Sequence, residues 1–537
     1  MKLKQNKIIT IMLIAIGIGF TSCVNDLNVT PIDPNLSTEF NQDAVFAKTY
    51  ASLSLTGQQG AAGQGDLSNL DEGTTSFVRM IWMLNELSTD EAICSWGDPG
   101  IPELNFNSWT STNPMVTGLY ARLTVGISYC NYFLEHTDSL STESKTVKQR
   151  AEVRFLRALN YFYLMDLFGN PPFATTVNKD VLPQQIKRAD LFVWLEKELK
   201  AIDDKLTKFS EKNTNTYYRV DQPAEWLLLS RMYLNAQIYT GTARWSDAKI
   251  YAKKVMDSGY KLNPSYAQLF MADNAGAFDG STNTAPQEII LPIPCDGINT
   301  KSWGNSLFLI ASTHTGGMAN WGTTEGWGGN RGRAALALKF FPNGIPNGTD
   351  LTALTAFAGD ERAMLYGWPI SDSKSTDAIS IITTSIFKQG LSVSKFSNVR
   401  SDGKATSSTQ YTDMDVPHFR LAEAYLTYAE AAYRINSADP EVLPIINQLR
   451  DRTSGNAPAL STITLPKILD EWSREFYFEG RRRMDLIRFG CYGGSTYTWD
   501  WKGGSVGGTQ FDTHYNIYPI PASEMQVNPN LIQNKDY

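Results

Sequence analysis

Histidine is scarce in this chain: of 537 residues only His136, His314, His418 and His514 are histidines, and none lies in an HExxH spacing. That removes the paired-histidine helix on which zinc proteases build their site. No GxxxxGK[ST] stretch occurs, so a phosphate-cradling P-loop is without support. Cysteine is equally thin. Cys94, Cys130, Cys295 and Cys491 are widely scattered with no CxxC pair, which excludes a zinc ribbon and a dense disulfide framework and leaves one or two bridges open. Excess positive charge is missing too: 48 Lys and Arg face 55 Asp and Glu, for a net charge of −7. An acidic surface argues against nucleic acid as a partner. No low-complexity linker divides the chain, and no apolar run is long enough to cross a bilayer.

The longest apolar run, Ile8 to Phe20, follows Lys2, Lys4 and Lys7 and precedes the small residues of "FTSC". A charged start, a short apolar stretch and a small-residue zone form a secretion signal. Cleavage just before Cys23 is the pattern of a bacterial lipoprotein, whose new N-terminal cysteine takes the lipid chains. Residues 1–22 are therefore expected to be a signal peptide, and residues 23–537 a single domain anchored through Cys23.

What the chain has in quantity is helical periodicity and aromatic rings. In "SKTVKQRAEVRFLRALNYFYLMDLFGNPPF", Phe155, Ala158, Leu159 and Phe162 repeat at helical spacing, and Leu156, Tyr163 and Leu167 make a second stripe. A helix apolar on two sides lies between neighbours. Gly169, Pro171 and Pro172 stop it. From Pro223 the pattern is helix, turn at Gly241, second helix, with Ala248 and Ala252 permitting close packing, as in a tetratricopeptide hairpin. A similar hairpin is predicted from "FRLAEAYLTYAEAAYRIN" through "EVLPIINQLRDRT", and "LPKILDEWSREFYFEGRRRMDLIRFG" starts another helix. The arginines of "EGRRRMDLIRFG" are expected to be solvated or paired with Glu475 and Glu479. An α-solenoid scaffold follows.

Between about Ala275 and Asn398 the composition turns to Gly, Ser, Thr and Asn with short strand-like pieces such as "EIILPI". Irregular segments on a rigid scaffold are where binding sits. In that region "GTTEGWGGNRGR" sets Trp327 among five glycines, where regular structure is costly. Such a tryptophan either plugs its own core or is held out as a contact surface. With 13 Trp and 24 Tyr in the chain, more rings are present than a core needs, and some belong to a surface that binds.

Several stretches carry a resemblance. The lipoprotein start before "NDLNVTPIDPN", then "RAEVRFLRALNYFYLMDLFGNPPF", "EFYFEGRRRMDLIRFG" and the closing "YPIPASEM", resemble the SusD family of glycan-binding outer-membrane lipoproteins, over the whole mature chain. "DEGTTSFVRM", "NELSTDEAICSW", "PQEIILPI", "GTTEGW" and "WDWKGG" are similar to a starch-binding member. The resemblance implies a mainly α fold: four tetratricopeptide-like helical hairpins as scaffold, with loop-rich segments and short strands, mostly 40–110 and 275–398, carrying the ligand site. It implies no catalysis, a starch-like α-glucan ligand, an outer-membrane location facing the cell exterior, and a SusC-like TonB-dependent β-barrel transporter as partner. Three aromatic positions that cradle the sugar correspond to Trp96, Trp303 and Trp327, with Trp303 standing where the relative has tyrosine. Arg79 and Asp71 correspond to its polar sugar contacts, unless they form a buried structural pair. Asp273, Gln287, Glu288 and Asp415 correspond to a structural calcium site; no cofactor is required for binding. The segment "GDPGIPEL" after Trp96 is one residue shorter than in the relative and lacks its asparagine, and the segment after "KFFPNG" is also shorter, so fine specificity is left open. The competing readings are another glycan (a β-glucan or a fructan), a tetratricopeptide adaptor that grips peptides, and a secreted hydrolase.

Overall fold

The structure is a computed structural model that describes residues 39–68, 70–178, 180–452 and 457–537. The expected signal peptide and Cys23 lie outside the described residues. The chain divides into two compact units, Met1–Val45 and Phe46–Tyr537; the first is described only from residue 39, and all that follows concerns the second.

Helix α1 (Phe77–Glu86) is capped by Ser76, whose Oγ accepts from Arg79 N, and leads into strand β1 (Ala92–Cys94). Helices α2 (Pro114–His136) and α3 (Ser144–Phe168) form a packed pair. Both apolar stripes of α3 are buried, and α3 packs on both α2 and α4 (Arg188–Lys200). Gly169 ends α3 at φ +74, where a Cβ would stand 2.4 Å from Ile517 Cδ1, so only glycine fits.

Helices α5 (Gln222–Leu234) and α6 (Trp245–Met256) make the second pair. Ala248 and Ala252 are fully buried on the α6 face and let α6 pack on both α5 and a later helix. The chain then loses its helical period. Strand β2 (Ile289–Ile293), helix α7 (Ser306–Ala311), strand β3 (Asn330–Gly332) and helix α8 (Ala334–Phe340) are short pieces in long loops. Strand β4 (Val416–Arg420) pairs antiparallel with β2. Helix α9 (Leu421–Ile435) follows directly, packs on α6 and pairs with α10 (Val442–Arg450). Helices α11 (Leu465–Phe476) and α12 (Arg482–Arg488) complete four helix pairs. The fold is the expected mainly helical scaffold with interleaved loops. The 40–110 segment is more regular than expected, because α1 is a fully formed, largely buried helix within it.

The "EGRRRMDLIRFG" expectation is overturned. Arg481, Arg482, Arg483 and Arg488 are all buried, and none pairs with Glu475 or Glu479. Arg482 grips Asp90 at 2.7 Å, Arg481 reaches Glu423 at 3.2 Å, and Arg488 reaches Glu430 and Asp485, both at 2.8 Å. Glu475 and Glu479 instead hold Arg420, at 2.6 and 2.7 Å. Buried guanidinium groups need partners with good geometry, and the fold supplies acids from distant segments.

Candidate glycan-binding site

Two short elements build this site. Strands β1 and β3 pair antiparallel with Ala92 opposite Gly332 and Cys94 opposite Asn330. The pairing runs on past the strand ends, since Ser95 N donates to Gly329 O at 2.9 Å. That register sets Trp96, just after β1, beside Trp327, just before β3. Residues 327–330 are also pinned to the end of α7: Trp327 N donates to Ala311 O, and Gly329 N and Asn330 N to Ser312 O, at 2.7 to 2.8 Å. Carbonyls at a helix C-terminus have no partner within the helix, so the glycine-rich segment satisfies them and is held rigid in return.

The glycines serve ring placement. A Cβ on Gly329 would lie 2.2 Å from Trp96 Cε2, so the indole of Trp96 rests on bare backbone. Of the two roles open to Trp327, the core plug fails: its side chain is half-buried, as are those of Trp96 and Trp303. Trp327 is the middle ring of a row. Its centroid is 6.3 Å from Trp96 and 6.2 Å from Trp303, with planes tilted by 53° at each step. Its Nε1 donates to Glu325 Oε2 at 2.8 Å, and Trp321 Nε1 donates to the Glu325 carbonyl at 2.6 Å.

Trp303 is held from the other side. Its backbone N donates to Glu72 Oε2 at 3.0 Å and its Nε1 to Ala61 O at 3.2 Å. Arg79 N donates to Gly304 O, so the start of α1 and the Trp303 turn are one unit. The Arg79 guanidinium lies 5.0 Å from the Phe308 ring centroid and 5.7 Å from that of Trp96. Burial lowers the Arg79 pKa, opposed by Asp71, Asp98 and Glu72, and its Nε has no hydrogen-bond partner among the described residues. Trp96, Trp303, Trp327, Arg79 and Asp98 line a depression of about 420 Å³.

Of the expected site residues, four converge and one stands apart. Asp71 is exposed and outside this lining; no ion pair joins it to Arg79, so the buried Arg–Asp pair does not form. Asp98, which the sequence reading passed over, takes a place in the depression; an acid two positions from a predicted ring was the available signal. A larger depression of about 570 Å³ lies against α3, but its guanidinium groups are already engaged. Arg154 and Arg157 both bind Glu198, at 2.8 and 2.6 Å, and Arg150 binds Asp138.

Comparison with known proteins places the chain. Residues 362–537 match the SusD family, and residues 31–234 match a family described as "Starch-binding associating with outer membrane". The chain is 42% identical to the starch-binding protein SusD of Bacteroides thetaiotaomicron, over 98% of each sequence. The chain belongs to the SusD family. It is also 26% identical to a SusD-like protein of Bacteroides ovatus, over 70% of this chain and 65% of that one. Among solved structures, a SusD homologue from Bacteroides thetaiotaomicron superposes with a TM-score of 0.68 at 19% identity, covering 92% of this chain and 96% of the other. Surface glycan-binding protein A from the same organism, in complex with laminarihexaose, gives 0.66 at 18% identity, covering 92% and 98%. At such identities these two establish the SusD fold alone.

The four residues expected to hold calcium do not fit as one donor set in this SusD-family chain. Both Glu288 oxygens are taken by guanidinium groups, of Arg420 at 3.2 Å and Arg452 at 2.7 Å. Asp273 accepts from Ser401 N and Oγ and from Ser281 Oγ. Gln287 Nε2 donates to Asn263 Oδ1 at 3.0 Å, and Asp415 Oδ1 accepts from Cys295 N at 2.8 Å. Among the described residues no group of three or more His, Cys, Asp or Glu is placed to hold a metal ion. The four later cysteines are free thiols. One stretch, "GGSVG" at Gly503–Gly507, has the spacing of a nucleophile elbow. It lies on a short helical turn and an exposed turn, not between a strand and a helix, so it lacks the context that makes that motif reactive.

Proposed function

We propose that the chain is a cell-surface, non-catalytic receptor for starch-like α-glucan oligosaccharides, lipid-anchored through Cys23 to the outer membrane and delivering glycan to a SusC-like TonB-dependent transporter. One observation carries the ligand reading: three tilted tryptophan planes in a row around an open depression with a guanidinium and a carboxylate at its side. The apolar C–H faces of glucose stack on indole, while hydroxyls at the ring edge need donors such as Arg79 and acceptors such as Asp98. An α-1,4-glucan coils, so tilted rings meet successive sugars without straightening the chain, and little ordering cost is added. Identity of 42% to a starch-binding protein supports α-glucan over other glycans.

Affinity electrophoresis of purified protein lacking residues 1–23, run through gels of amylopectin, β-glucan and fructan, tests the ligand. Retardation is expected in amylopectin. Retardation only in another polysaccharide would reassign the glycan, and none in any gel would favour a peptide ligand on the helical scaffold. Anchor and partner are tested together by mild detergent extraction. The native protein is expected in the membrane fraction with a large β-barrel, and Cys23→Ala in the soluble fraction; a variant that stays membrane-bound after a high-salt wash would defeat the anchor.

A further inference from the structure

The row of rings does not end at Trp303. Tyr411 stands 5.3 Å from Trp303 between centroids, its plane tilted by 47°, close to the step that separates each tryptophan from the next. It comes from a loop 84 positions beyond Trp327 in the chain, after the loop-rich region that sequence composition marks out. Tyr411 is half-exposed, and its hydroxyl makes no hydrogen bond to a described residue.

The ring is rigidly placed. Thr324 N donates to Thr409 O at 2.8 Å, and Thr323 Oγ1 donates to Gln410 O at 2.6 Å. Gln410 Nε2 donates to Glu325 Oε1 at 2.9 Å, while the other oxygen of Glu325 holds Trp327. The loop bearing Tyr411 is thus bolted to the loop bearing the middle tryptophan, through one carboxylate. An exposed lysine, Lys301, has its Nζ 5.6 Å from the Tyr411 centroid.

We propose that Tyr411 is a fourth stacking platform, extending the glycan site by one sugar beyond Trp303, and that an incoming sugar displaces Lys301 from the ring and then meets its ammonium as a hydroxyl donor. The inference rests on the glucan reading of the tryptophan row. Tyrosine suits the end of such a row, because it offers an apolar face to the sugar and a free hydroxyl at its edge. A cation over an exposed ring is weakly held, so the sugar has little to overcome. Because the ring is already fixed in place, engaging it adds little ordering cost. Chains too short to pass Trp303 gain nothing from it.

Calorimetric titration of the detergent-solubilised full-length protein with maltotriose through maltoheptaose tests this. For Tyr411→Ala, affinity for maltoheptaose is expected to fall about three- to tenfold, the worth of one ring contact, with maltotriose affinity unchanged. The unchanged maltotriose binding also shows that the variant is folded. Tyr411→Phe should keep most of the long-chain affinity, whereas Trp327→Ala should lose affinity at every length. If Tyr411→Ala matches wild type at all lengths, or loses equally at all lengths as a mere prop of Trp303 would, the fourth platform is overturned alone. If wild type binds no maltooligosaccharide, the glucan reading falls and the platform with it.

Discussion

Trp327 is the residue on which the site turns. It is half-buried, touches a neighbouring indole on each side, and is hydrogen-bonded through its own Nε1. Trp327→Ala removes a ring face worth on the order of 1.5–3 kcal/mol against a sugar, which is roughly tenfold or more in affinity. A core tryptophan would cost about 3–5 kcal/mol of folding stability on truncation; Trp327 is not in the core, so its melting temperature should barely move. Paired calorimetry and thermal unfolding read the two effects separately. Lost stability with intact glucan binding would return Trp327 to the role of plug. Not every neighbour in this row of rings was legible beforehand. Glu325 stands two positions away in "TEGW" and could have been suspected, but nothing in sequence marks Tyr411, because its adjacency depends on how two loops dock.

At the scale of elements, long helices and short strands behave differently. Helix α3, at 25 residues, repeats its apolar pattern over many turns, and both of its stripes are buried as periodicity predicts. Strands β1 and β3 have three residues each, too few for any alternation to register, yet their ladder sets Trp96 beside Trp327. Gly329 tests that arrangement. In Gly329→Ala the new Cβ would occupy the space of Trp96 Cε2, so the indole must swing away while the ladder hydrogen bonds, which need no side chain, survive. Glucan affinity should fall about tenfold, with one ring of the row displaced, and thermal stability should change by less than Trp96 burial in a core would demand. Unchanged affinity in affinity electrophoresis would show that Trp96 is not needed where it lies.

For the molecule as a whole, buried ion pairs join the loop-rich segment to the helices. Glu475 on α11 receives Arg362 from the loops at 3.1 Å, and Arg420 and Arg452, both at 2.6 Å. Lys395, also from the loops, reaches Glu479 at 2.7 Å. Burial alone would raise the Glu475 carboxyl, but Arg452, Arg420 and Arg362 outweigh it and hold the carboxyl well below the usual range. Glu475→Ala leaves buried cations short of a partner and should cost about 3–5 kcal/mol. A depressed folded pKa gives stability that is fully present above the unfolded value of about 4.3 and is lost progressively as pH falls from there through the folded value. The gap between wild type and Glu475→Ala in urea unfolding should therefore be widest at pH 7, smaller at pH 3.5, and shrink further as pH falls toward the folded value. A gap of equal size at both pH values would mean the carboxylate charge is not what the network uses.

The sequence by itself determined the helical scaffold, the turn at Gly241, the loop-rich stretch and, through family resemblance, five candidate glycan contacts, four of which line one depression. The scaffold, the turn and the loop-rich stretch are local or repeated, so they can be read from spacing and residue type, whereas the site residues came from the resemblance. Only the tertiary structure decided which acids the "EGRRRM" arginines meet, that Asp71 makes no ion pair with Arg79, that Glu288 is held by two guanidinium groups, and that Asp98 and Tyr411 adjoin the tryptophan row. Most of these depend on contact between segments far apart in the chain. Arg482 and Asp90 are 392 positions apart, and burial, which forces such charges to find partners, is a property of the folded whole.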